Sequence, residues 1–150
     1  MTAVHQLLPS FAANDAVSAH VLQVQRLLRE LGFESEVYAG TASGPHRAAV
    51  QPVARYRGLG SGGWLLYQLS TGSPLADVAV EQPSRTIVNY HNITPPLFFD
   101  AWSPAVAAEL ALGTRQLAAL AAVTAGIAVS RYNERELQRA GYRATAVAPV

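Results

Sequence analysis

Four short polar segments hold the residues with chemistry to offer. His91 stands in Asn89-Tyr90-His91-Asn92, with Thr94 close behind. An imidazole in such a place donates or accepts a hydrogen bond at neutral pH. Asn14 and Asp15 precede a helical pattern, where free backbone N–H groups and the helix dipole favour an anion. A carboxylate repels phosphate, so Asp15 reads first as a helix cap, and Asn14 with the backbone is the better partner for a phosphate or sugar hydroxyl. Thr71-Gly72-Ser73 before Pro74 brings two hydroxyls to a second helix start, where ordinary turn and cap chemistry competes with ligand binding. Ser130 opens a third helix as its cap, with Tyr132 and Asn133 in the first turn.

Several chemistries are excluded. The loop at Asn14 has no glycine, so it carries neither G-x-G-x-x-G nor a Walker A sequence. Val129-Ser130-Arg131 lacks the G-x-S-x-G elbow of a serine hydrolase. There is no cysteine, hence no disulfide framework, thiolate nucleophile or cysteine zinc site. No two of the four histidines have metal-pair spacing, and neither a metal nor a cofactor is expected. His5 reads as structural, His20 lies beside an apolar helical stripe, and His46 falls in an irregular connection. All eleven basic residues are arginines, they do not cluster, and the net charge is +1. Binding to nucleic acid or to an anionic membrane is therefore not expected. Half the residues are apolar, enough for one packed domain. The most apolar run, Leu117 to Val129, is too short for a membrane span. No basic segment precedes an early apolar run, and a cytoplasmic location is expected.

The elements that must position these residues alternate. Val4 to Leu8 reads as a first strand closed by Pro9, and Ser10 to Asn14 as a loop. Asp15 caps a helix with Val17, Val21, Val24, Leu27, Leu28 and Leu31 on one stripe, stopped at Gly32. Phe33 to Ala39 alternates like a second strand. Residues 40–63 form a long connection with an irregular strand or helical turn near Val50 to Arg57. Trp64 to Leu69 is the next strand. Ser73 as cap and Pro74 at the first helical position start a helix to about Val80. Arg85 to His91 is a central strand, and Asn92 to Pro96 a turn. Ser103-Pro104 opens a helix to about Ala125. Ile127 to Val129 is a short strand, Ser130 to Ala140 a capped helix ended by Gly141, and Thr145 to Ala148 a last strand. This alternation predicts an α/β fold, a mainly parallel sheet in a Rossmann-like three-layer sandwich. Ligands of such sheets bind beyond the carboxyl ends of the strands, where the four polar segments fall.

In order and spacing, five stretches resemble the N-terminal domain of a family-4 retaining glycosyltransferase, one half of a GT-B fold. These are His5-Gln6-Leu7-Leu8-Pro9 through Val17, Gln25 through Tyr38, Tyr67 through Ala76, Asn89 through Pro96, and Ser130-Arg131-Tyr132-Asn133-Glu134-Arg135-Glu136-Leu137 with Ala140-Gly141-Tyr142. The first loop departs from the family, having Ala12-Ala13-Asn14 where members often have glycine.

The resemblance implies an acceptor-binding domain of an enzyme that transfers a hexose from a nucleotide diphosphate sugar to the hydroxyl of a carbohydrate or other acceptor, with retention. It places His91 near the donor sugar and acceptor as the catalytic candidate. Asn14, Asp15, Thr71, Gly72, Ser73, Asn92, Ser130 and Asn133 are expected to bind substrate. The family's donor site lies mainly in a C-terminal domain with a Glu-x7-Glu element, to which nothing here corresponds. The chain ends at Val150 directly after a strand, which reads as a domain boundary, and the 150 residues alone are expected to be inactive. The alternative is a standalone flavodoxin-like ligand-binding or protein-interaction domain.

Overall fold

The computed structural model describes residues 2–82, 85–121 and 125–149. Within them, seven strands form one sheet of order β3-β2-β1-β4-β5-β6-β7. They are β1 Val4–Phe11, β2 Val37–Ala42, β3 Gln51–Pro52, β4 Trp64–Leu69, β5 Thr86–Tyr90, β6 Ala125–Ala128 and β7 Thr145–Val147. Every pairing is parallel. Four helices complete the α/β, Rossmann-like three-layer sandwich: α1 Ala16–Glu30, α2 Ala76–Val80, α3 Pro104–Ala121 and α4 Arg131–Arg139.

The alternation of side chains along the strands sorts the core into two layers. Leu7, Leu65, Tyr67, Leu69, Val88, Tyr90 and Ala128 share a cluster with residues of α2, α3 and α4. Leu8, Val37 and Ala39 face the other way and pack with Val21 of α1. Strand order reverses between β1 and β4, so the chain crosses to the other face there. The reversal leaves a crevice between the loops at the carboxyl ends of β1 and β4.

β1 runs through Pro9 instead of closing at it. Val4 and Gln6 donate their N–H groups toward β2, to the carbonyls of Glu34 and Glu36. The two-residue alternation turns the nitrogen of Pro9 to the β4 side, where pairing ends at Leu7 opposite Tyr67. The missing N–H thus costs no ladder bond, and β1 continues to pair β2 as far as Phe11 opposite Ala42. That extension draws the second strand to Val37–Ala42, later than its expected span.

The connection after it contains β3 and two short 3-10 turns, Arg47–Ala49 and Val53–Arg55. The second helix begins at Ala76, because α3 captures Ser73: Gln116 accepts from its N–H at 2.9 Å and donates to its carbonyl at 2.7 Å. The expected tail of α3 at Ala122 to Thr124 lies outside the described residues, and Ala125 already belongs to β6. β5 and β7 are each slightly shorter than read, and β6 starts two residues earlier and ends at Ala128. His91 stands one residue past β5.

The inner line of α1 is Ser18, Val21 and Gln25, not the expected valine and leucine stripe. Leu27 and Leu31 at its far end are exposed. The helix is rotated to meet polar partners, with Gln25 Nε2 donating to the Ser35 carbonyl at 3.1 Å.

One close approach fixes the loop after β4. A Cβ on Gly72 would stand 2.4 Å from the Glu109 carbonyl oxygen and 2.6 Å from the Gly113 nitrogen, both backbone atoms of α3. Neither can swing aside. Gly72→Ala is therefore expected to cost about 2–3 kcal/mol, measured by urea unfolding. Gly62→Ala, with nothing within 4 Å of the added carbon, is the control and should be close to neutral.

Candidate functional site

The loops that leave β1, β4, β5 and β6 meet at the carboxyl end of the sheet. Two of them carry an asparagine in the left-handed backbone region, Asn14 at φ 58° and Asn92 at φ 78°. Asparagine tolerates this conformation better than other residues with a Cβ, but the strain still has to be held by its surroundings.

Asp15 caps α1. Its Oδ2 accepts from the Ser18 N–H at 2.8 Å and the Ser18 hydroxyl at 2.6 Å, and that hydroxyl accepts in turn from the Ala12 N–H. The cap shapes the first loop and leaves Asn14 on the wall of an open cleft of about 600 Å³, with Phe11, Leu22 and His46. A second cleft of about 640 Å³ lies between the end of β1 and α3, lined by Ser10, Thr41, Ser73, Glu109 and Arg115. Gly72 lines it too, and Thr71-Gly72 is tied to α3. Thr71 donates to Glu109 Oε1 at 2.7 Å, and the Gly72 N–H donates to the Glu109 carbonyl at 3.2 Å.

Asn92, Ser130 and Asn133 come together. Ser130 caps α4 by accepting from the Asn133 N–H, and donates its hydroxyl proton to Asn133 Oδ1 at 2.6 Å. Asn133 Nδ2 donates to Asn92 Oδ1 at 3.2 Å and to Glu136 Oε2 at 3.3 Å. Glu136 also accepts from the Tyr90 hydroxyl, which accepts from the Ile93 N–H. Burial, with Glu136 beside it, pushes the Tyr90 hydroxyl up, so it stays a proton donor. This cluster braces the turn that follows His91.

His91 belongs to a different chain of contacts, on the α1 side of the sheet. Gln6 and Gln68 are fully buried. Gln6 Nε2 donates to the Val21 carbonyl at 2.9 Å, and Gln68 Nε2 donates to Gln6 Oε1 at 2.8 Å. Gln68 Oε1 then meets Asn89 Nδ2 at 2.8 Å and His91 Nε2 at 2.6 Å. Asn89 Nδ2 also approaches His20 Nε2 at 3.3 Å, and the His20 and His91 rings meet edge to face at 5.1 Å. Burial lowers the His91 imidazole to about 4; His20 pushes the same way and Asp15 opposes. Burial also lowers His20. Both rings are neutral at pH 7.

The sequence reading placed His91 correctly at a strand end but missed Gln6, Gln68, His20 and Glu136. A signal was present for Gln68, the one polar side chain among the apolar residues of Trp64 to Leu69; Gln6 stands beside His5 in its strand and gave a weaker one. Neither a family model nor a curated protein matches the chain.

The neutral His91 makes stability depend on pH. The unfolded chain protonates this residue near 6.5, whereas the folded chain resists until about 4. The contribution is fully present above pH 6.5 and is lost as pH falls toward 4, by roughly 3 kcal/mol. Urea midpoints between pH 4 and 7 should show this slope in the wild type, and a shallower one in His91→Gln.

Proposed function

We propose that the chain is the acceptor-binding, Rossmann-like half of a retaining glycosyltransferase that moves a hexose from a nucleotide diphosphate sugar to an acceptor hydroxyl. The observation that carries this reading is the placement of a neutral, hydrogen-bonded His91 at the carboxyl end of β5, beside the strand-order reversal. A site for sugar hydroxyls needs polar groups held in fixed geometry. Asn92 and Asn133 are held by their own bonds, and Asn14 by the capped first loop. In such transfer the chain's residues orient the acceptor hydroxyl toward the anomeric carbon on the face that the diphosphate leaves. The departing diphosphate is stabilised mainly by residues beyond this domain, and no transfer is expected from these 150 residues alone.

One observation favours a second reading, a standalone flavodoxin-like ligand-binding or interaction domain. β3 has only two residues and no α-helix separates it from β2. With β3 set aside, the next five strands follow the order of the flavodoxin-like sheets, and β7 is added beyond them.

Titration of the chain with glycosides and nucleotide diphosphate sugars, followed by amide NMR shifts, separates the two. The transferase reading predicts saturable shifts in the loops at Asn14, His91 and Asn92. His91→Ala should weaken them about tenfold, the equivalent of one lost hydrogen bond, while the melting transition stays cooperative. Absence of carbohydrate shifts together with saturable flavin mononucleotide binding would overturn it.

A further inference from the structure

We propose that Gln68 is a positioning residue for His91: it holds the ring with its proton on Nε2 and so leaves Nδ1 as the bare nitrogen of the ring. That nitrogen is an acceptor suited to a ligand hydroxyl and unsuited to a phosphate or carboxylate.

The argument begins at the Val21 carbonyl, which can only accept. Gln6 must therefore turn its NH2 toward it, at 2.9 Å, and its Oε1 toward Gln68. Gln68 must present its NH2 to that oxygen, at 2.8 Å, which leaves Gln68 Oε1 facing His91 and Asn89. Nε2 of His91 lies 2.6 Å from this oxygen. Two lone pairs would repel at that distance, so the nitrogen carries the proton. Asn89 Nδ2 donates to the same oxygen at 2.8 Å, and its 3.2 Å approach to His91 Nε2 is that of two donors converging on one acceptor. Reversing the Asn89 amide would set its oxygen against Gln68 Oε1. The orientations of the Gln6, Gln68 and Asn89 amides thus follow from one backbone group.

Nδ1 of His91 has no protein partner among the described residues. The titratable groups that face the ring are His20 from α1 and Asp15 at the start of that helix. The first pushes His91 toward neutrality, and the second is too weak an influence to reverse it. A neutral ring with a bare Nδ1 lone pair accepts from O–H and repels an anion. The inference rests on the glycosyltransferase reading only for the identity of the hydroxyl.

The test follows His91 ring signals by NMR in the wild type, Gln68→Glu and Gln68→Met, with glucose and inorganic phosphate as probes at pH 7. In the wild type, a protected ring N–H proton should be visible, glucose should shift the ring signals, and phosphate should not. Gln68→Glu places a carboxylate on Nε2, which should raise the His91 titration midpoint by roughly two pH units or more and make phosphate a binder. Should the buried carboxylate prevent folding, Gln68→Met keeps the volume and removes the acceptor; the protected N–H signal should vanish while the melting transition remains cooperative. A merely structural glutamine moves neither signal. An unmoved midpoint in folded Gln68→Glu, a protected N–H that persists in Gln68→Met, or a wild type that answers phosphate as strongly as glucose overturns the proposal. A moved midpoint without any glucose shift supports the tautomer lock and strikes the transferase reading.

Discussion

A carbonyl oxygen has lone pairs and no proton. The Val21 carbonyl, on the inner side of α1, imposes that fact on one side chain in each of three strands and on His91 just past the last of them. Its acceptor character sets the orientation of Gln6, then of Gln68, then of Asn89 and the proton position on His91. Buried amides left unpaired would each cost on the order of 1–3 kcal/mol. A network with one orientation is therefore held firmly, since any reversal creates at least one donor–donor or acceptor–acceptor clash. The chain runs across β1 and β4, the strands that flank the reversal of strand order, and on to β5 beside them. The layer that builds the crevice also prepares its imidazole.

The other elements protect this arrangement. β1 passes through Pro9 without losing a ladder bond and delivers the first loop to Asp15. Asp15 caps α1 and fixes where Val21 and His20 sit over the sheet. On the opposite face, Gly72 lets α3 approach the β4 loop until backbone meets backbone, and Gln116 completes the lock on Ser73. The Tyr90, Glu136 and Asn133 cluster supports the strained Asn92 that follows His91. Polar groups thus serve two layers: one side presents His91, and the other holds its turn.

Much of this order could be read in the sequence. Apolar strand segments and capped helices fixed the α/β alternation, and the polar strand ends marked the crevice. His91, Asn92, Ser130 and Asn133 are candidates on that ground, because strand ends are where open sheets gather ligands. Local patterns could not give the rotation of α1. Its leucines suggest an apolar stripe, but the Ser35 carbonyl accepts from Gln25 and the Asp15 cap holds Ser18, so a polar line turns inward. The extension of β1 depended on which side of Pro9 had a partner, a tertiary fact. The glutamines looked like interruptions of strands until the register placed Gln68 beside Asn89.

The most direct measurement is a long-range proton–nitrogen correlation spectrum of the histidine side chains of the unmodified chain at pH 7. His91 should appear as a single neutral tautomer, with Nε2 protonated and Nδ1 bare. A proton on Nδ1, or nitrogen shifts averaged between the two forms, would contradict the idea that a chain of buried amides sets the chemistry of this crevice.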